Sequence, residues 1–135
     1  MSEFVDTNIF VRLLTGDDPT KARRSRDLLQ RAQQGDVTLV TSETVAAEIV
    51  YVLTRATYRL PRSDIADALR SILANPGLHV DHKRSVVAAV DTWEASSLDF
   101  EDCLSIEHVR RASLAGIYSF DRDFDRVPGI VRLEP

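Results

Sequence analysis

The chain has 135 residues, room for one real core but not comfortably for two. At 44% hydrophobic and 28% charged it has the balance of a globular protein, which argues against a disordered or fibrous chain. Its net charge of −4 speaks against a simple polyanion-binding module, and its single cysteine, Cys103, excludes an internal disulfide and a thiolate metal cluster.

Phe4-Val5, apolar and β-favouring, reads as a buried strand that stops at a carboxylate, Asp6. No basic-then-apolar leader precedes it, and no apolar run could span a bilayer, so the expected location is the cytoplasm, with no membrane partner. Ile9, Phe10, Val11, Leu13 and Leu14 are too apolar for a solvated loop and predict a short helix. Asp6 then stands at the carboxyl end of a strand, where open α/β sheets bind ligands. Two readings stay open for it, helix cap or ligand. Thr7 and Asn8, small and polar, can bond the backbone there.

Lys21 to Gln34 is expected to be helical, opened by Asp17-Asp18-Pro19-Thr20 and stopped by Gly35. A strand over Val37–Val40 follows. A helix capped by Thr41 or Ser42 then runs to about Arg55, with Val45, Ile49, Val52 and Leu53 as its seam. A further helix opens at Arg62-Ser63-Asp64, carries Ile65, Leu69, Ile72 and Leu73, and ends at Asn75-Pro76-Gly77. Leu78–Val80 is a strand. Helices over Ser85–Ser97 and Asp99–Ala115, a strand over Gly116–Phe120 and a last short strand within Val127–Leu133 complete the chain. Strands alternating with helices imply parallel pairing, hence a single domain over residues 1–135 of α/β class, a three-layer α/β/α sandwich around a mostly parallel sheet.

Several acids fall where apolar side chains are expected. Glu48 lies three residues after Val45 and four before Val52, on the predicted buried face. Asp102 precedes Ile106 by four, and Asp99 shares its face. Asp121 and Asp123 follow a strand, as Asp6 does, and share a side if the chain stays extended. Ionised carboxylates are rarely buried without a partner, and no matching lysines or arginines occupy these seams. Oxygen donors with no cysteine ligand, and without zinc spacing at His79, His82 or His108, favour Mg²⁺ or Mn²⁺. Each of these acids alone has an ordinary reading as a cap or turn residue; the order strand-Asp6, helical Glu48, helical Asp102, strand-Asp121 is the informative part. With Asp6, Glu48, Asp99, Asp102, Asp121 and Asp123 set aside, 15 of the 21 acids face 17 lysines and arginines. Arg23, Arg24 and Arg26 then become candidates for a nucleic-acid-facing patch, or simply a solvated helix face.

That order resembles the PIN-domain nucleases, in particular the VapC-like toxins of toxin–antitoxin pairs, over essentially the whole chain. Val5-Asp6-Thr7-Asn8 is similar to the family's opening motif, Ala47–Leu53 to its glutamate helix, Asp102–Ile106 to its third-acid segment and Ser119–Phe124 to its closing motif. Cys103 and Ser105 depart from the small apolar residues frequent there, and Ser119 replaces the usual threonine. The resemblance implies a Mg²⁺- or Mn²⁺-dependent endoribonuclease, dimeric or in a larger complex, inhibited by a cognate antitoxin. Asp6 and Asp102 are then expected to hold metal with Asp121 or Asp123. Glu48 and Asp121 complete the shell or orient water, and Thr7, Asn8, Asp99 and Ser119 are accessory. The rivals are a catalytically silent RNA- or partner-binding module on the same fold and a metal-dependent small-molecule phosphatase. A further expectation places an uncovered apolar face on the second and third long helices, at Val50, Tyr51, Leu60, Ala66 and Ala68, as the dimer or antitoxin surface.

Overall fold

A computed structural model describes residues 1–55 and 57–135. In chain order the elements are β1 (Ser2–Phe4), α1 (Thr7–Thr15), α2 (Pro19–Gln34), β2 (Thr38–Thr41), α3 (Glu43–Thr54), α4 (Arg62–Leu73), β3 (Leu78–Val80), α5 (Lys83–Glu94), α6 (Phe100–Arg111), β4 (Ile117–Tyr118), a 3₁₀ turn (Arg122–Arg126) and β5 (Arg132–Leu133).

Local chemistry sets most of these boundaries. Asp18 caps α2 by accepting from the Lys21 N–H, Pro19 occupies the first turn where its missing N–H costs nothing, and Gly35 ends the helix in the left-handed region. Ser42 caps α3 by accepting from the Val45 N–H at 3.3 Å. Asn75 is buried at the end of α4; its Nδ2 donates to the Leu29 carbonyl and its Oδ1 accepts from the Gly77 N–H, both at 2.9 Å. A Cβ on Gly77 would run into the Ala32 carbonyl, so glycine is required where β3 enters beneath α2.

β2 lies between β1 and β3, parallel to both, with Phe4 opposite Val40 and Val40 opposite His79. Each crossover runs through a helix pair, as parallel strands require. β4 pairs in parallel with β5, Tyr118 opposite Leu133, in a separate two-stranded sheet. Among the described residues the expected single sheet is therefore two, although every pair is parallel. Trp93, Phe10, Phe100, Leu39, Leu53 and Ile106 are among the largest fully buried side chains, and Trp93 meets Phe100 edge-on at 6.2 Å.

Three local expectations need correction. Phe4 is 61% exposed while the next residue, Val5, is buried, as alternation along an extended chain allows when one face is uncovered. Helix α6 ends at Arg111, before the predicted Ala115, and α5 begins two residues early and stops at Glu94. On α3 and α4, Val50 and Ala66 are buried at 5% and 0%, and Leu60 packs against the core, so of the expected apolar face Tyr51 is the residue left well exposed.

Candidate active site

Asp6 follows β1 in extended conformation and occupies the N-cap position of α1, yet its side chain caps nothing. It is exposed. Of the two readings, the cap is not realised. Thr7, buried at 3%, donates its hydroxyl to Glu48 Oε2 at 2.7 Å across 41 residues of sequence. This bond joins the start of α1 to α3, which pack on one another. Glu48 itself is exposed, not buried: the covered face of α3 runs through Val45, Ala46, Ile49, Val50 and Leu53, and Val52 is only half-buried. Glu48 sits on the flank of that face, pointed to where Thr7 can reach it.

The second group gathers at the start of α6. Asp99 takes the N-cap position, again without a side-chain cap bond, and is exposed. It therefore lies ahead of the helix and not on one helical face with Asp102. Asp102 is half-buried. Burial pushes its carboxyl above the ordinary range, and the negative charges of Asp99, Asp121, Glu101 and Asp123 push it further the same way. Asp121 caps the 3₁₀ turn by accepting from the Asp123 N–H at 2.9 Å, and its own N–H donates to Ser119 Oγ at 3.0 Å. The turn ends the extended run, so Asp121 and Asp123 are held by a tight local turn and not by strand alternation. Glu101 was not anticipated: adjacent to Asp102 in sequence, it falls off the apolar seam that identified its neighbours.

A family model for the PIN domain matches residues 4–130. Over 133 residues the chain is 32% identical to Ribonuclease VapC13 of Mycobacterium tuberculosis, covering 96% of this chain and 97% of that one. It is 24% identical over 125 residues to the VapC ribonuclease of Aquifex aeolicus, covering 93% and 91%. The chain belongs to the PIN-domain family. A solved structure of VapBC2 from Rickettsia felis bound to a promoter DNA fragment aligns over 99% of this chain and 98% of its own at 16% identity and TM-score 0.39, a likeness that leaves the sequence matches to carry the assignment.

In this PIN-domain chain the donor types suit a hard divalent cation: carboxylate oxygens, uncompensated by cations, with Cys103 buried and its thiol raised to about 11. The positions form two groups, Asp6 with Glu48 through Thr7 and Asp102 with its acidic neighbours. Among the described residues no three His, Cys, Asp or Glu side chains converge closely enough to enclose one ion.

The basic residues also separate. Arg24 and Lys21 line a cleft of about 400 Å³ with Asn8, Ile9 and Arg12; Asn8 is two residues after Asp6 in sequence. Arg26 lines a different cleft, with Leu13 and Gln30. Arg23 is exposed on α2. Only the packing of α1 on α2 places Lys21 and Arg12 next to Asn8.

Proposed function

We propose that this PIN-domain protein is a Mg²⁺- or Mn²⁺-dependent endoribonuclease, the toxin of a toxin–antitoxin pair. One observation carries the proposal: a set of carboxylates at α1, α3, α6 and the 3₁₀ turn, without cationic partners among the described residues, in a chain related over nearly its full length to proteins named VapC ribonucleases. Burial and the neighbouring acids both disfavour the charged form of Asp102, and a bound cation would offset that cost.

Asp6, Asp102, Asp121 and Asp123 are the residues proposed to hold the ion. When bound, such an ion offsets phosphate charge and makes water more acidic. Glu48, fixed by the Thr7 hydroxyl, would orient the attacking water or complete the donor set. Ser119 holds the turn that presents Asp121. Arg24 and Lys21 would guide the strand's phosphates towards Asp6 while the acids stay clear of them. Hydrolysis adds water across one P–O bond and releases two shorter strands.

The antitoxin and a homodimer remain part of the proposal. Besides Tyr51 and Leu114, the apolar residues available for either are Phe4, Tyr118, Phe120 and Val131, exposed by 61%, 70%, 75% and 53% on or beside β1, β4 and β5. Sequencing of RNA ends after expression of the chain tests the function. New ends at defined sites are expected from the wild type and none from Asp6→Asn; identical end profiles from the two would defeat the proposal.

A further inference from the structure

Resting on the ribonuclease reading, we propose that a pocket between α3, the first residue of α4 and the start of α6 is a subsite for one unpaired base of the RNA strand. The pocket has a volume of about 450 Å³ and is lined by Tyr51, Arg62, Trp93, Asp99, Phe100 and Glu101, among others. It adjoins both acid groups. Tyr51 follows Glu48 by three residues on α3, hence on the same side of the helix. Asp99 and Glu101 lie three residues and one residue before Asp102, and their charges act on it.

Its walls suit a flat ring with a polar edge. Tyr51 is 52% exposed, and the Arg55 guanidinium sits 4.4 Å from its ring centroid, holding one face of the ring. Arg62 lies over the Trp93 ring at 4.6 Å. Its Nη1 donates to the carbonyls of Trp93, Ser96 and Leu98 at 2.7, 3.1 and 3.0 Å. One nitrogen thus anchors the guanidinium, while Nε and Nη2 make no hydrogen bond among the described residues. That leaves a fixed, charged donor edge in a pocket with an aromatic wall. A base carbonyl such as uracil O4 or guanine O6 matches the donors, and the base face matches Tyr51. A phosphate does not fit as well, because Asp99 and Glu101 line the same pocket and repel it.

Trp93 is the only tryptophan in the chain; it lines this pocket beneath Arg62 and is otherwise buried against Phe100, so its emission responds to a change at Arg62. The test titrates hexauridylate into the Asp6→Asn chain, which keeps the strand intact, following Trp93 emission and the anisotropy of labelled strand together. Saturable quenching of Trp93 is expected, with none from inorganic phosphate. Tyr51→Ala should weaken strand binding about tenfold, and Tyr51→Phe should retain it, since the ring and not the hydroxyl stacks. Trp93 emission that stays flat through saturation of the anisotropy signal, absence of hexauridylate binding, equal quenching by phosphate, or unchanged affinity in Tyr51→Ala each overturns the subsite. A wild-type chain that cleaves RNA while Trp93 stays silent refutes the subsite and leaves the nuclease standing. Quenching that depends on Tyr51, in a chain that cleaves no RNA, does the reverse.

Discussion

Replacing Thr7 by valine removes the hydroxyl that holds Glu48 and little else, since the two side chains are near-isosteric. Thr7 is 3% exposed and its bond to Oε2 is 2.7 Å. A hydrogen bond to a charged acceptor contributes roughly 1.5–3 kcal/mol. Glu48 is exposed and can recover water, which places the loss below that range, at about 1 kcal/mol. For a chain of this size that corresponds to a fall of about 4 °C in Tm. Cleavage should fall further, about tenfold, as for other groups that orient an active carboxylate. Urea unfolding of the wild type, Thr7→Val, Glu48→Ala and the double variant isolates the pair. With Glu48 absent, Thr7→Val should be neutral or stabilising, because it removes a buried hydroxyl left without its acceptor. An equal cost of Thr7→Val in both backgrounds would show that the bond does not link α1 to α3 energetically.

Asp102→Asn should raise Tm by a few degrees at pH 7. The folded chain holds the Asp102 proton more tightly than the unfolded one, so stability is lost as pH rises through and above the ordinary carboxylate range; the advantage of the variant should shrink towards pH 3, and a variant less stable at pH 7 would contradict the acidic cluster. Asp17 has the opposite sign: bonds from the Tyr58 hydroxyl, Arg12 and Thr15 hold its carboxyl down to about 2, so its contribution is complete above about pH 4 and disappears as pH falls through 2. Acid titration of Asp17→Asn by circular dichroism should show a shallower loss across that window than the wild type. Neutralising Lys21 and Arg24 should flatten the salt dependence of single-stranded RNA binding by roughly 1.4 in log–log slope, whereas Arg26→Gln should leave it unchanged; equal effects would move the phosphate path off the α1–α2 cleft.

Signals confined to a few neighbouring residues were legible in the sequence. Asp18-Pro19, Gly35, Ser42 and Asn75-Pro76-Gly77 act on the backbone within a few residues of themselves, and each stops or starts an element where expected. Faces were harder to read. Helix α3 is apolar on most of its circumference, so several seams fit its spacing; tertiary packing chose the one through Val50, which exposed Glu48 and removed the uncovered face expected there. Strand partners were also beyond reach, because Gly116–Phe120 reads equally well beside any parallel neighbour. The acids themselves were identifiable as residues out of place, but their grouping was not. The Thr7–Glu48 bond spans 41 residues, and the company of Asp102 depends on how the turn at Asp121 folds back towards α6.

The most direct test is cleavage of a structured RNA by the purified chain after EDTA treatment, with Mg²⁺ or Mn²⁺ added back, for the wild type, Asp6→Asn and Asp102→Asn. The carboxylate site predicts no cleavage in EDTA, recovery with either ion in the wild type, and at least a hundredfold lower rate in both variants with unchanged far-UV circular dichroism. Cleavage that survives EDTA, or that Asp6→Asn performs at the wild-type rate in Mg²⁺, would contradict it.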